Sequence, residues 1–175
     1  MYKLILIVVL SIFSFGNNLT LKKGEIQAHT EIFGDSEINP KTEKVDSTLT
    51  IGENIESIKG KISIVPLSLV SDNLHRDKHM YNVLNIETNP SINIEIKSIQ
   101  KTDTNYKING FLTLNGVNKE ISSIVTIIED PLLLNLSGNF SIKLTEFNIE
   151  PPSLLFLTVR DQIDIKYKLS YRKGK

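Results

Sequence analysis

Residues 91–99 read SINIEIKSI, with Ile92, Ile94 and Ile96 on one parity and Asn93, Glu95 and Lys97 on the other. Successive side chains of a strand point to opposite faces, so this run sets isoleucines against a core and polar groups in water. The stretch DQIDIKYKLSY repeats the device, with Ile163, Ile165, Tyr167 and Leu169 opposed to Asp164, Lys166 and Lys168. Period-two alternation rich in Ile, Val, Thr, Leu and Tyr covers most of the chain. Beyond the opening segment no long helical pattern interrupts it, which makes this an all-β protein.

Strands are expected at 24–32, 43–51, 57–65, 91–99, 105–114, 117–128, 132–144 and 161–171. Asn115-Gly116 between LTL and VNKEI marks a tight hairpin, because a type I′ turn needs positive φ at both central residues. Gly60, Gly110 and Gly138 fall inside strands on the inward parity, where a missing side chain permits a bend or a close backbone approach. About eight strands joined by short turns can close into an antiparallel barrel, its interior either filled by side chains or holding one small ligand. The double proline of PPSLLFLTVRD, residues 151–161, argues against a central strand there.

The chain of 175 residues suits one domain. Its segment MYKLILIVVLSIFSFG reads as a secretory signal, with Lys3 as the positive region, residues 4–15 as the apolar stretch and Ser14-x-Gly16 as the cleavage site. The expected division is a signal peptide over 1–16 and one barrel domain over 17–175, placed in the periplasm or secreted. Twenty basic residues balance 20 acidic ones, so no broad field draws nucleic acid. Cysteine is absent, which leaves the core alone to hold the fold.

One stretch departs from the strand pattern: SDNLHRDKHMYNVL, residues 71–84. Asp72 or Asn73 can cap a short helix, and Leu74, Tyr81 and Leu84 recur at roughly helical spacing. His75 and His79, four apart, share a helix face in a geometry zinc can use, but no acid completes an HExxH pattern. No serine carries a nucleophile-elbow glycine pattern, and catalysis is not expected. A structural role fits better, with Arg76 and Asp77 forming an ion pair or bonding the carbonyls of a neighbouring loop.

The order Asn73-x-x-Arg76-Asp77-x-His79-Met80, then NIETNPSINIEI, INGFLTLNGVNKEI, GNFSIKLTEFNI and VRDQIDIKYKL, resembles the YceI-like family of secreted lipid-binding proteins over residues 24–169. The resemblance implies a lipocalin-like barrel with an elongated apolar cavity. Such a protein binds a polyisoprenoid, an isoprenoid quinone or another long-chain apolar lipid, for carriage or sequestration, with no cofactor, metal or catalysis. It leaves open membrane contact for lipid exchange. On this reading Asn73, Arg76, Asp77 and His79 form a polar latch holding the helix over one barrel end, while Met80 and Leu84 turn inward.

By parity the interior set is Ile62, Ile64, Ile92, Ile94, Ile108, Leu112, Leu134, Leu136 and Phe140, with Leu67, Leu69, Phe147, Leu155 and Phe156 near the mouth. Two alternatives stand beside a lipid carrier: a filled structural barrel acting through protein partners, and a weak metal site on the two helix histidines. Large side chains meeting across an eight-stranded barrel would leave no tube. The depth of filling therefore separates carrier from structural barrel.

Overall fold

The chain's alternating runs pair into one curled antiparallel sheet. The computed structural model describes residues 16–32, 35–154 and 157–174. The expected signal segment, Gly16 excepted, lies outside them, as do Leu155 and Phe156. In chain order the elements are β1 (Asn17–Ile32), β2 (Asp35–Ile38), β3 (Lys41–Thr42), β4 (Val45–Ser47), β5 (Thr50–Ile51), β6 (Gly60–Ile64), the helix α1 (Leu74–Val83), β7 (Ile92–Lys101), β8 (Tyr106–Leu114), β9 (Val117–Glu129), β10 (Leu133–Lys143), β11 (Ser153–Leu154), β12 (Leu157–Thr158) and β13 (Gln162–Lys173). Among the described residues no helix is long and apolar enough to cross a membrane.

The sheet runs β2-β1-β13-β10-β9-β8-β7-β6-β4. It then returns on itself, because the segment that follows β2 is shared between the two ends. Its β3 and β5 pair with β1, through Ile26 opposite Thr42 and Asn17 opposite Ile51, while β4 pairs with β6 through Val45 opposite Ile64. Between them the Leu19 amide donates to the Leu49 carbonyl at 2.9 Å and the Thr48 amide to that of Lys61 at 2.9 Å. The result is a nearly closed antiparallel barrel with one helix, as expected. The single strand expected over 43–51 is broken into pieces for the same reason: a seam that serves two partners cannot stay in register with either.

Local signals hold where backbone geometry is decisive. Asn115 (φ 48°) and Gly116 (φ 72°) both take positive φ in the hairpin, with Leu114 opposite Val117. Gly110 lies beside a bulge in β7, and a Cβ there would come within 2.3 Å of the Glu95 carbonyl oxygen. A side chain at this position is therefore excluded by backbone alone.

The interior divides along the barrel axis into two apolar clusters. Leu19, Leu49, Ile51, Ile58, Ile62, Ile96, Ile99, Ile108, Val125, Leu134, Leu136, Leu169 and Tyr171 fill the end away from the helix. Leu112, Leu114, Phe140, Ile142, Leu144, Phe147 and Ile149 form the second cluster, against which Val83, Leu84, Ile92 and Ile94 pack from the helix side. Tyr167 touches both clusters and marks their boundary.

Candidate functional site, a capped apolar chamber

Beneath the helix lies a cavity of about 450 Å³. Its walls are the inward residues at the helix end of the barrel: Ile26, Ala28, Thr30 and Ile32 of β1, Ile163 and Ile165 of β13, Ile142 of β10, Leu114 of β8, Ile92 of β7 and Ile64 of β6. These are one-parity positions, so each strand contributes alternate residues as its pleat demands. Pro40, Leu69, Leu144, Pro152 and Val159 complete the rim, and α1 closes over it with His75, Arg76, His79, Met80, Val83 and Leu84.

Past the lining residue Ile165, register sets the next inward layer of β13. Gly138 of β10 stands opposite Tyr167 of β13, and a Cβ on it would lie 2.5 Å from the tyrosine hydroxyl oxygen. The vacancy at Gly138 is thus occupied by a phenol, not simply by a bend in the strand. Tyr167 Oη lies 2.9 Å from Ser123 Oγ, and that Oγ donates to the Asn139 carbonyl at 2.8 Å. Phe140 packs on the ring, centroids 6.5 Å apart. Burial pushes the Tyr167 hydroxyl up from its ordinary pKa, and the bond to Ser123 offsets part of that. Further along the strands Leu136 faces Leu169 and Leu134 faces Tyr171, all four within the buried apolar cluster.

The helix sits where it does for local reasons. The Asn73 side chain accepts from the His75 amide at 3.0 Å and the Arg76 amide at 3.2 Å, satisfying two donors that a helix N-terminus leaves open. Asp77 is 3% exposed, and its carboxylate accepts from the Ser71 amide at 3.0 and 3.1 Å and from the Ser71 hydroxyl at 2.7 Å. Tyr81 Oη donates to the Leu69 carbonyl at 2.7 Å, tying the helix to the rim. Past the helix, Asn85 and Asn89 donate to Asn115 Oδ1, and Asn115 donates to the Phe147 carbonyl. One side chain thereby joins the hairpin, the helix exit and the turn over 144–147.

The expected residues separate into four groups. Ile64, Leu69, Met80, Leu84 and Ile92 line the cavity, and so do Arg76 and His79. Ile62, Ile108, Leu134 and Leu136 have inward parity but belong to the filled end. Ile94, Leu112, Phe140 and Phe147 pack in the upper cluster without reaching the cavity. Leu67 is 57% exposed and faces water, where the sequence placed it near the mouth. Within the expected latch, Asn73 caps and Asp77 anchors, but the partner of Asp77 is Ser71, while Arg76 and His79 turn to the cavity.

Sequence reasoning left out Ile26, Ala28, Thr30, Leu114, Ile142, Ile163 and Ile165 as cavity residues. The signal for Ile163 and Ile165 was present, since their strand alternates as cleanly as any, but parity does not say how deep a residue sits. His29 also borders the cavity, with its Nδ1 2.7 Å from Asn39 Oδ1 and its Nε2 3.4 Å from Glu31. Among the described residues no three His, Cys, Asp or Glu side chains cluster as a metal site.

Comparison with known proteins agrees with this architecture. An UPF0312 protein of Pseudomonas aeruginosa is 30% identical over 114 residues, a stretch spanning 60% of this chain and 60% of that relative. The crystal structure of Burkholderia cenocepacia BcnA superposes with a TM-score of 0.74 at 16% identity, covering 84% of this chain and 95% of that one. A polyisoprenoid binding domain from Saccharophagus degradans, implicated in plant cell wall breakdown, superposes at 0.70 with 9% identity, covering 90% and 99%. The family model of the YceI-like domain matches residues 19–171, and with the barrel, its capping helix and the motifs along its strands the chain belongs to the YceI-like family.

Proposed function

We propose that this protein binds one apolar lipid chain in the chamber beneath α1, for carriage or sequestration, and that it is not an enzyme. The observation that carries the reading is the chamber itself, about 450 Å³ walled almost entirely by aliphatic side chains. Preformed apolar pockets of several hundred Å³ bind by removing hydrocarbon from water, at about 0.8 kcal/mol per buried CH₂. The structural neighbour described as a polyisoprenoid binding domain supports an isoprenoid as one class of ligand.

The volume of the chamber bounds the length held. At about 30 Å³ for each water-sized group, the chamber takes roughly 15 such groups. A longer isoprenoid would leave its remainder outside the rim. A periplasmic or secreted location, reached through the N-terminal segment, completes the proposal. The exposed aliphatics Val65, Leu67 and Val70, on the segment that joins β6 to α1, and Leu74 at the helix start supply the contact that exchange with a membrane would use.

Extraction of the purified protein with organic solvent, followed by mass spectrometry, tests the reading. A copurified isoprenoid, quinone or acyl lipid is expected. Empty extracts together with no uptake of added lipid would refute it.

A further inference from the structure

The segment that joins β6 to α1 turns its hydrocarbon two ways. Pro66 and Leu69 are buried, and Leu69 lines the chamber. Beside them Val65, Leu67 and Val70 are about half exposed, and Leu74, the first residue of α1, is 74% exposed. Residues 65–74 read VPLSLVSDNL, with Asp72 the one charge and none of the aromatic or arginine anchors that dominate protein interfaces. Four aliphatic side chains on a ten-residue stretch fall well short of the ~800 Å² that each partner gives to a stable protein interface. A patch of this size and composition suits the soft hydrocarbon of a bilayer, which needs no matching shape.

The helix that covers the chamber is tied to this same segment. Asp77 and Tyr81, one turn apart on α1, bond to Ser71 and to the Leu69 carbonyl. The segment is in turn fixed to the barrel by paired backbone bonds between Val70 and Lys41, at 2.9 and 3.0 Å, and by the Thr42 and Ser68 hydroxyls at 2.8 Å. The chamber face of α1 carries Met80 and Val83, with Leu84 just beyond. In water, lifting the helix would expose these side chains and the aliphatic wall beneath them, so the closed form is favoured. Against a bilayer the same surfaces meet hydrocarbon and that penalty is removed. A bilayer therefore binds the open form better than the closed one, which is the differential affinity that shifting an equilibrium requires.

We propose that contact with a phospholipid bilayer through Val65, Leu67, Val70 and Leu74 is the signal that opens α1 and exposes the chamber. This rests on the reading of the chamber as a lipid site and adds its regulation, a lid that is shut in water and open at a membrane. Lipid then passes between bilayer and chamber without crossing water.

The test uses the protein purified after export and reads the position of the lid, not membrane binding alone. The chain contains no cysteine, so spin labels attach only at K78C, an exposed position of α1, and N118C, an exposed position of β9. Vesicles of phosphatidylethanolamine and phosphatidylglycerol should lengthen the distance between the labels by at least one helical turn, about 5 Å. The same vesicle concentration should leave the distance unchanged in L67E/L74E, while L67M/L74M, which keeps the hydrocarbon, should still open. A distance that vesicles do not alter in the parent, or that lengthens equally in L67E/L74E, overturns the proposal. Calorimetric titration with farnesol in vesicle-free buffer should give the same affinity in the parent and in L67E/L74E, which shows that the variant keeps its fold and its chamber. Uptake by neither refutes the chamber as a lipid site and leaves the lid measurement to be read on its own.

Discussion

Replacing Asp77 by alanine should loosen the lid formed by α1. The carboxylate is 3% exposed and takes three contacts from one residue, the Ser71 amide at 3.0 and 3.1 Å and its hydroxyl at 2.7 Å. Hydrogen bonds to a charged group contribute about 1.5–3 kcal/mol each, and a buried donor stripped of its partner costs a further fraction of that. D77A strands the Ser71 amide and leaves its hydroxyl only the Asn73 carbonyl at 3.4 Å, so a loss of about 3 kcal/mol is expected. For a domain of this size that is a drop in Tm of roughly 6–12 °C. Urea unfolding followed by circular dichroism gives the first number, and hydrogen exchange of the α1 amides shows whether the loss is local to the lid. The cycle S71A, D77A and the double variant should show a coupling of about 1 kcal/mol or more, because the two changes remove one shared interaction. If D77A falls within about 0.5 kcal/mol of the parent, the anchoring role assigned to Ser71 and Asp77 is wrong.

Y167L should deepen the chamber past Ile165, so that lipid affinity keeps rising with chain length past roughly 15 groups, whereas the parent levels off; identical length profiles in the two proteins would show that Tyr167 does not limit depth. G110A should unfold the barrel or cost several kcal/mol, since its Cβ would meet the Glu95 carbonyl oxygen at 2.3 Å, and near-parental stability by thermal melting would contradict that geometry. Burial raises the Tyr171 hydroxyl to about 12, with its bond to Ser47 offsetting part of the effect. The unfolded chain ionises first, near 10, so this contribution is intact below pH 10 and is lost as pH climbs to about 12, a fall of about 3 kcal/mol. Y171F, measured by urea unfolding at pH 9 and 11.5, should flatten that part of the decline, and an unchanged slope would refute the assignment.

The strand pattern, the hairpin at Asn115-Gly116 and the capped helix were legible in the residues because each is a local matter. A pleat alternates, a type I′ turn demands two positive φ values, and Asn73 reaches the amides two and three positions on. Parity along each strand was legible for the same reason. Depth along the barrel axis was not. Ile165 and Leu169 share one face of β13, yet the first borders a cavity and the second fills the closed end, because register with β10 places one beside Phe140 and the other opposite Leu136. Arg76 and Asp77 are neighbours in sequence and the sequence offered them as partners; 100° of helical rotation turns one to the chamber and the other to Ser71. Alternation by itself determined that a barrel wall forms and which side chains enter it. Only the tertiary pairing decided that Tyr167 would fill the gap at Gly138, dividing a filled half from a hollow one, because register between strands depends on every turn and bulge at once.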